Sequence, residues 1–226
     1  MISSWDIADS YDLRLGMVNE QLESRGIHDQ ELLKVFKNTP RHIFVPNVSL
    51  YDAYSDRPLA IKAGQTISQP YIVALMMQYL DLASTHEILE IGSGSGYATA
   101  LLSKLCHHVD ALEVYADLVQ TSRIALNRLE LMNVSVQHRS AWEQLDSPKV
   151  YDRIILWASP PRIPEHLFDS LSDMGILVAP EGKTDQFVWV FTKLAGEIKR
   201  ERKESVRFLP LVQGTVSEID NNSRGI

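Results

Sequence analysis

Hydrophobic and polar positions along this chain follow a helical period first and a mixed strand–helix period afterwards. Residues 11–25 carry Leu13, Leu15, Met17, Val18 and Leu22 at roughly helical spacing and stop at Gly26, predicting a first helix. Asp29 stands as an N-cap before a second helix through Phe36, closed off by Pro40. The amphipathic run VALMMQYLDL predicts a third, with Pro70 in its first turn, where a missing N–H does no harm. Ser68 stands where the cap of that helix belongs; its hydroxyl could also orient a small polar substrate. Short apolar runs then predict strands at 88–91, 109–114, 134–138, 151–157 and 175–180, separated by helical stretches at 97–106, 115–131 and 164–171. Residues 186–193 and 206–211 predict two more strands, an antiparallel pair through the polar turn around Gly196. This alternation implies an α/β fold, a largely parallel sheet with helices on both faces. Residues 1–214 read as one domain, with 1–60 as a helical and loop cap on a 61–214 core, and the polar 215–226 as a flexible tail.

The organising stretch is EILEIGSGSGY at 87–97. An apolar run this short, cut off by glycines and followed by helical spacing, reads as a buried strand, a tight turn and a helix. Such a turn lets the backbone approach a ligand and aims helix N-terminal N–H groups at it. The spacing is G-x-G-x-G rather than the dinucleotide G-x-G-x-x-G, and no Gly-Lys-Ser/Thr follows. An ordinary glycine-rich turn remains the alternative. In a sheet of this kind a ligand lies outside the carboxyl ends of the strands, where strand order reverses. Glu113, at the end of the second core strand, can accept hydrogen bonds from the ribose hydroxyls of an adenosine. That placement suits S-adenosylmethionine or NAD, and the absence of pyrophosphate-type glycine spacing favours the methyl donor.

Composition narrows the class. The chain's 226 residues are 45% hydrophobic and 23% charged, as in globular proteins, with a net charge of −7 that opposes a nucleic-acid surface. A basic cluster at Lys199, Arg200, Arg202 and Lys203 is interleaved with Glu197, Glu201 and Glu204 and reads as a solvated hairpin or strand edge. Cys106 is the one cysteine, which excludes an intrachain disulfide and suits a reducing compartment. No signal-peptide pattern opens the chain and no apolar run reaches membrane-spanning length, so a cytoplasmic protein without membrane contact is expected. The seven histidines form no i, i+4 pair, so no metal site is expected. Oligomeric state is left open.

Several stretches together carry a more specific signal: PRHIFVP at 40–46, GQTISQPY at 64–71, LEIGSGSGY at 89–97, ILWASPPRIP at 155–164 and VRFLPL at 206–211. In order and spacing they resemble protein-L-isoaspartate O-methyltransferases from about Met17 to Gly214. The resemblance implies a Rossmann-like, doubly wound, seven-stranded class I methyltransferase. It implies S-adenosyl-L-methionine as cofactor, S-adenosyl-L-homocysteine as product, and protein or peptide substrates bearing isoaspartate, methylated on the free carboxylate as a repair step. Ser68 matches the family's active-site serine, beside the acceptor carboxylate, and Thr66 and Ile67 belong to the loop closing over the cofactor. Glu90, Gly92, Ser93, Gly94 and Gly96 match the methionine-side motif, Glu113 the ribose-binding acid, and Ala158 and Ser159 a segment lining the substrate groove.

The chain also departs from the family pattern. Arg139-Ser140-Ala141 stands where the family has Gly-Asp-Gly, which puts Ser140 and Ala141 at the adenine with one hydroxyl in place of a carboxylate. Ala60-Ile61-Lys62 replaces Pro-Ile-Gly, and Glu181 replaces a valine after the fifth strand. Glu181 is expected at the rim of the substrate groove, repelling an acceptor carboxylate unless it turns to solvent, pairs with a cation such as Arg162 or meets a basic substrate. Two other readings stand beside the first: a carboxyl methyltransferase with another substrate, and a non-catalytic protein-binding module.

Overall fold

The computed structural model describes residues 8–144 and 149–223. Helix α1 (Ala8–Gly16) runs on through a wider-wound turn at Met17–Leu22 and a tight turn at Glu23–Arg25, so the expected first helix is present with changing pitch. Asp29 caps α2 (Gln30–Lys37), its carboxylate accepting from the Glu31 and Leu32 N–H groups at 3.0 and 3.1 Å. After the short α3 (Leu50–Ala53), a two-stranded ribbon of β1 (Leu59–Ala60) and β2 (Thr66–Ile67) brackets the 61–65 turn and leads into α4 (Pro70–Tyr79).

The core follows as β3 (Glu87–Ile91), α5 (Tyr97–Ser103), β4 (His108–Glu113), α6 (Ala116–Arg128), β5 (Val134–His138), β6 (Tyr151–Leu156), α7 (Glu165–Asp169), β7 (Leu171–Glu181), β8 (Gln186–Leu194), β9 (Glu197–Val206) and α8 (Val216–Ser223). The sheet runs β5-β4-β3-β6-β7-β8-β9, parallel as far as β7, with β8 and β9 antiparallel. From β3 the chain moves one way to β4 and β5, then returns to the other side of β3 as β6. The crevice of such a fold opens at that reversal, above the carboxyl ends of β3 and β6.

Alternation along the strands fills both sides of the sheet. Ile88, Ile155 and Val178 pack with α4, α5, α6 and the N-terminal helices, whereas Leu89, Leu156 and Leu177 pack on the other side with Leu167 of α7. Gly96, expected at the cofactor, serves this packing. A Cβ there would lie 3.0 Å from Ser122 Cβ and 3.3 Å from Ser122 Cα, so its absence lets α5 start close against α6.

One strand expectation and the reading of the tail change. The seventh strand is the charged run Glu197–Val206, not 206–211. A charged edge strand is exposed on both faces, so no hydrophobic alternation marks it, and its charges discourage edge pairing. Arg200 and Arg202 lie over the rings of Trp189 and Phe187, 4.6 and 4.7 Å from their centroids. The apolar 206–211 run instead lies against Ser159, whose N–H donates to Leu209 O and whose carbonyl accepts from Leu211 N–H, each at 2.9 Å. Helix α8 occupies part of the stretch read as a tail. Its start is a reciprocal cap, Thr215 N–H donating to Glu218 Oε2 at 2.7 Å and Glu218 N–H to Thr215 Oγ1 at 3.4 Å. No helix among the described residues is long and apolar enough to cross a membrane.

Candidate active site

A cavity of about 970 Å³ opens above the carboxyl ends of the parallel strands. One half is lined by strand ends and the turns after them: Ile91, Gly92 and Gly94 after β3, Leu112, Glu113 and Tyr115 at β4, and Trp157 and Ala158 after β6. The other half is lined by Thr66, Ser68 and Gln69 before α4 and by the 205–212 segment.

Glu113 is the electrostatic centre of the first half. Its Oε2 accepts from Gly94 N–H at 2.9 Å, and its Oε1 accepts from Val114 and Tyr115 N–H at 2.8 and 3.0 Å. The strand-end acid thus ties the glycine turn to the start of α6. Burial pushes its carboxyl above the usual range, while the three N–H groups pull it back down. Oε1 is filled by two donors and Oε2 holds one, leaving one acceptor position for a hydroxyl. Gly94 has φ +55°, a left-handed conformation that favours glycine, and its backbone borders the cavity with Ile61 Cδ1 in ordinary contact range, 3.4 Å from where a Cβ would stand. Across it, the Gln65 amide reaches the Tyr115 hydroxyl at 3.5 Å and joins the 61–68 loop to the same half. A polar acceptor, a turn that presents Gly92 and Gly94 to the cavity and the 61–68 loop beside it fit an adenosine cofactor.

Glu90 is placed differently from expectation. It is wholly buried and does not line the cavity; its Oε2 accepts from Thr99 Oγ1 at 2.5 Å and its Oε1 from Trp157 Nε1 at 2.8 Å. Its contact with the site is through Trp157, which does line the cavity. Burial pushes the Glu90 carboxyl up to about 7, against the lowering effect of the two donors. The folded value lies above the unfolded one, so the native state holds a proton that the unfolded state has lost. Stability from this group is full at acid pH and falls as pH rises through about 7. Between pH 5 and 8 the loss is on the order of 2–3 kcal/mol. Glu90→Gln, whose amide oxygen can still accept from Trp157, should therefore gain stability over wild type as pH rises across that window. Denaturant titrations at pH 5, 6.5 and 8 check this, and a constant gap between the two proteins would contradict it.

On the acceptor side, Ser68 lines the cavity and does not cap α4. The N-cap is Gln69, which makes no side-chain capping bond, and Pro70 at the first helical position has no N–H to satisfy. The next donor, Tyr71 N–H, is met from a distant loop by Asp56 Oδ1 at 3.0 Å. That leaves the Ser68 hydroxyl to the cavity. Thr66 lines it as well, whereas Ile67 is buried on the opposite face of β2.

The family model for protein-L-isoaspartate(D-aspartate) O-methyltransferase matches residues 15–216. The chain belongs to this family. It is 40% identical over 204 residues to a protein-L-isoaspartate O-methyltransferase of Pectobacterium carotovorum, covering 90% of this chain and 98% of that one. It is 42% identical over 197 residues to one from Yersinia pestis, covering 87% and 95%. Among solved structures, a Plasmodium falciparum protein described under the same name, in complex with S-adenosyl-L-homocysteine, superposes with a TM-score of 0.80 at 27% identity, over 89% of this chain and 99% of that one. The fold is the class I methyltransferase fold expected from the sequence, a seven-stranded sheet with helices around it.

Several positions at which the family motif put site residues face elsewhere. Ser140 is wholly buried: its Oγ accepts from Trp142 N–H at 3.2 Å and its own N–H donates to Glu143 Oε2 at 2.8 Å, so the hydroxyl closes a turn. Its neighbours Arg139 and Ala141 line the cavity instead. Ser93 is buried inside the glycine turn and contributes no cavity wall. Ser159 turns its Oγ to Gly182 O at 3.0 Å, leaving Ala158 as the lining residue of that pair. Glu181 does not line the cavity. Its Oε2 accepts from Ile163 N–H at 3.2 Å and its Oε1 lies 3.8 Å from Arg200 Nη1, a partner other than Arg162. Paired in this way, Glu181 offers no reason for repulsion of an acceptor carboxylate.

Other lining residues carry no site role in the sequence reading: Gln65, Gln69, Tyr115, Arg139, Trp157 and Phe208. Arg139 and Trp157 directly follow β5 and β6, and Tyr115 stands two residues after β4; that position is a signal the sequence does hold. Phe208 stands beyond the charged edge strand β9, and its signal is the VRFLPL stretch itself. It is fixed by Gln186, whose Oε1 accepts Phe208 N–H at 2.6 Å and whose Nε2 donates to Phe208 O at 3.2 Å.

Proposed function

We propose that this chain methylates the free carboxylate of L-isoaspartyl residues in proteins, using S-adenosyl-L-methionine, as a protein-repair enzyme. The carrying observation is that one cavity joins a nucleoside-type half around Glu113 and Gly94 to an acceptor half containing Ser68. Glu113 would hold the ribose, the Gly92–Gly94 backbone would admit the methionine portion, and Arg139 and Ala141 would border the adenine. The cofactor supplies an electrophilic methyl group on a sulfonium centre.

The chain's own part is placement. An isoaspartyl carboxylate is ionised at neutral pH, so its oxygen needs no general base. The Ser68 hydroxyl can donate to one carboxylate oxygen and leave the other to react, without removing a proton. Trp157, Leu211 and Phe208 line the same space with apolar surface and exclude water, which strengthens the attraction between opposite charges that the reaction neutralises. The proposed location is the cytoplasm, a reducing compartment with which the free, buried Cys106 is compatible.

The test offers methyl-labelled S-adenosylmethionine with matched peptides containing isoaspartate or aspartate. Label should enter only the isoaspartyl peptide and leave as methanol on mild base treatment, the mark of a methyl ester. Equal labelling of both peptides, or of neither, would exclude the proposed substrate.

A further inference from the structure

The PRHIFVP stretch carries much of the family likeness, yet none of its residues lines the cavity. Within it, Arg41 is wholly buried. Its Nε donates to Ala53 O and its Nη2 to Ser68 O, each at 2.9 Å, and its guanidinium carbon lies 4.9 Å from the centroid of the Tyr97 ring. These contacts come from three segments: the end of α3, the acceptor loop before α4, and the first residue of α5 after the glycine turn.

A buried guanidinium is a costly choice. Removing it from water costs several kcal/mol, and an apolar side chain of similar volume often serves stability as well or better. Burial draws its pKa down to about 10, so at neutral pH the charge is kept in spite of that cost. What the guanidinium alone supplies is a rigid planar fork with donors on more than one side. Here one arm grips the acceptor loop at Ser68, another grips α3, and the plane rests on the residue that opens α5.

We infer that Arg41 is a positioning residue that holds Ser68 in register with the glycine turn, so that acceptor oxygen and methyl donor are presented in line. The inference rests on the function proposed above. Displacement of a reacting group by about 1 Å can lower a rate roughly a hundredfold.

The test uses the full chain with Arg41→Lys, and Arg41→Met in case the lysine variant does not fold, since methionine fills the volume without a buried charge. We measure kcat and KM on an isoaspartyl peptide, the Kd of S-adenosylhomocysteine by calorimetry, and amide exchange over residues 66–69. Expected are a kcat lower by about tenfold to a hundredfold, a Kd within about threefold of wild type, and faster exchange over 66–69. In a Ser68→Ala background, Arg41→Lys should lower kcat by less than about threefold, because no hydroxyl remains to be placed. Additive losses in the two backgrounds, or a Kd that rises in step with the fall in kcat, would overturn the inference. Wild-type chain inactive on isoaspartyl peptides would overturn the function instead. Arg41 is then decided by exchange alone, where unchanged protection over 66–69 in the variant overturns its role and loss of protection supports it.

Discussion

Glu113→Ala is expected to weaken S-adenosylhomocysteine binding about a hundredfold, and Gly94→Val to do so comparably by another route. A hydrogen bond from a cofactor hydroxyl to a carboxylate contributes about 1.5–3 kcal/mol, a factor of roughly ten to a hundred and fifty. The alanine variant loses more than that bond, because Gly94, Val114 and Tyr115 each give an N–H to the same carboxylate. With those donors released, the turn and the start of α6 lose their common anchor and the site is less organised before binding. Gly94→Val leaves the carboxylate in place but asks a β-branched residue to adopt φ +55° and sets its Cβ against Ile61. Calorimetry on both variants, with circular dichroism to confirm folding, checks this. Wild-type affinity in both would move the cofactor away from β3 and β4.

Both residues were legible in the sequence for the same physical reason. A buried parallel strand is a continuous apolar run, a glycine turn interrupts it visibly, and an acid at the next strand end stands out against its apolar neighbours. The direction of side chains was much less legible. Glu90 shares the motif with Gly92, yet it lies within β3 and turns into the core toward Thr99 and Trp157. Ser140 and Ser159 follow strand ends as expected of site residues, but each hydroxyl is used by nearby backbone. Gly96 belongs to the glycine pattern for the sake of Ser122. Glu181 was expected to pair, if with any cation, with Arg162; its partner is Arg200, from a strand that hydrophobic periodicity does not reveal. Ser140 closes a local turn with Trp142 and Glu143, while the others depend on contacts made by residues further along the chain, on which local spacing holds no information.

Ser68→Ala should lower kcat by roughly ten- to a hundredfold and leave the melting temperature nearly unchanged, the value of one hydrogen bond to a charged acceptor. Local sequence suggests the reverse, a lost helix cap costing about 1 kcal/mol. The structure removes that cost: Gln69 is the N-cap residue, Pro70 has no N–H, and Tyr71 N–H is satisfied by Asp56. The backbone of residue 68 stays held whatever its side chain, because Arg41 bonds its carbonyl. Ser68→Thr keeps a hydroxyl and should retain much of the activity. The complementary variant is Asp56→Ala, which loses the bond to Tyr71 N–H and the 2.5 Å ion pair with Arg25. Asp56 does not line the cavity, so this variant should lose about 1–2 kcal/mol of stability with kcat largely kept. Cofactor affinity should stay within about threefold of wild type in both variants, since neither touches the half around Glu113. Thermal unfolding, S-adenosylhomocysteine calorimetry and isoaspartyl-peptide kinetics on the pair separate the two roles. A Ser68→Ala variant that keeps full kcat while its melting temperature falls would return Ser68 to the helix and remove it from the chemistry.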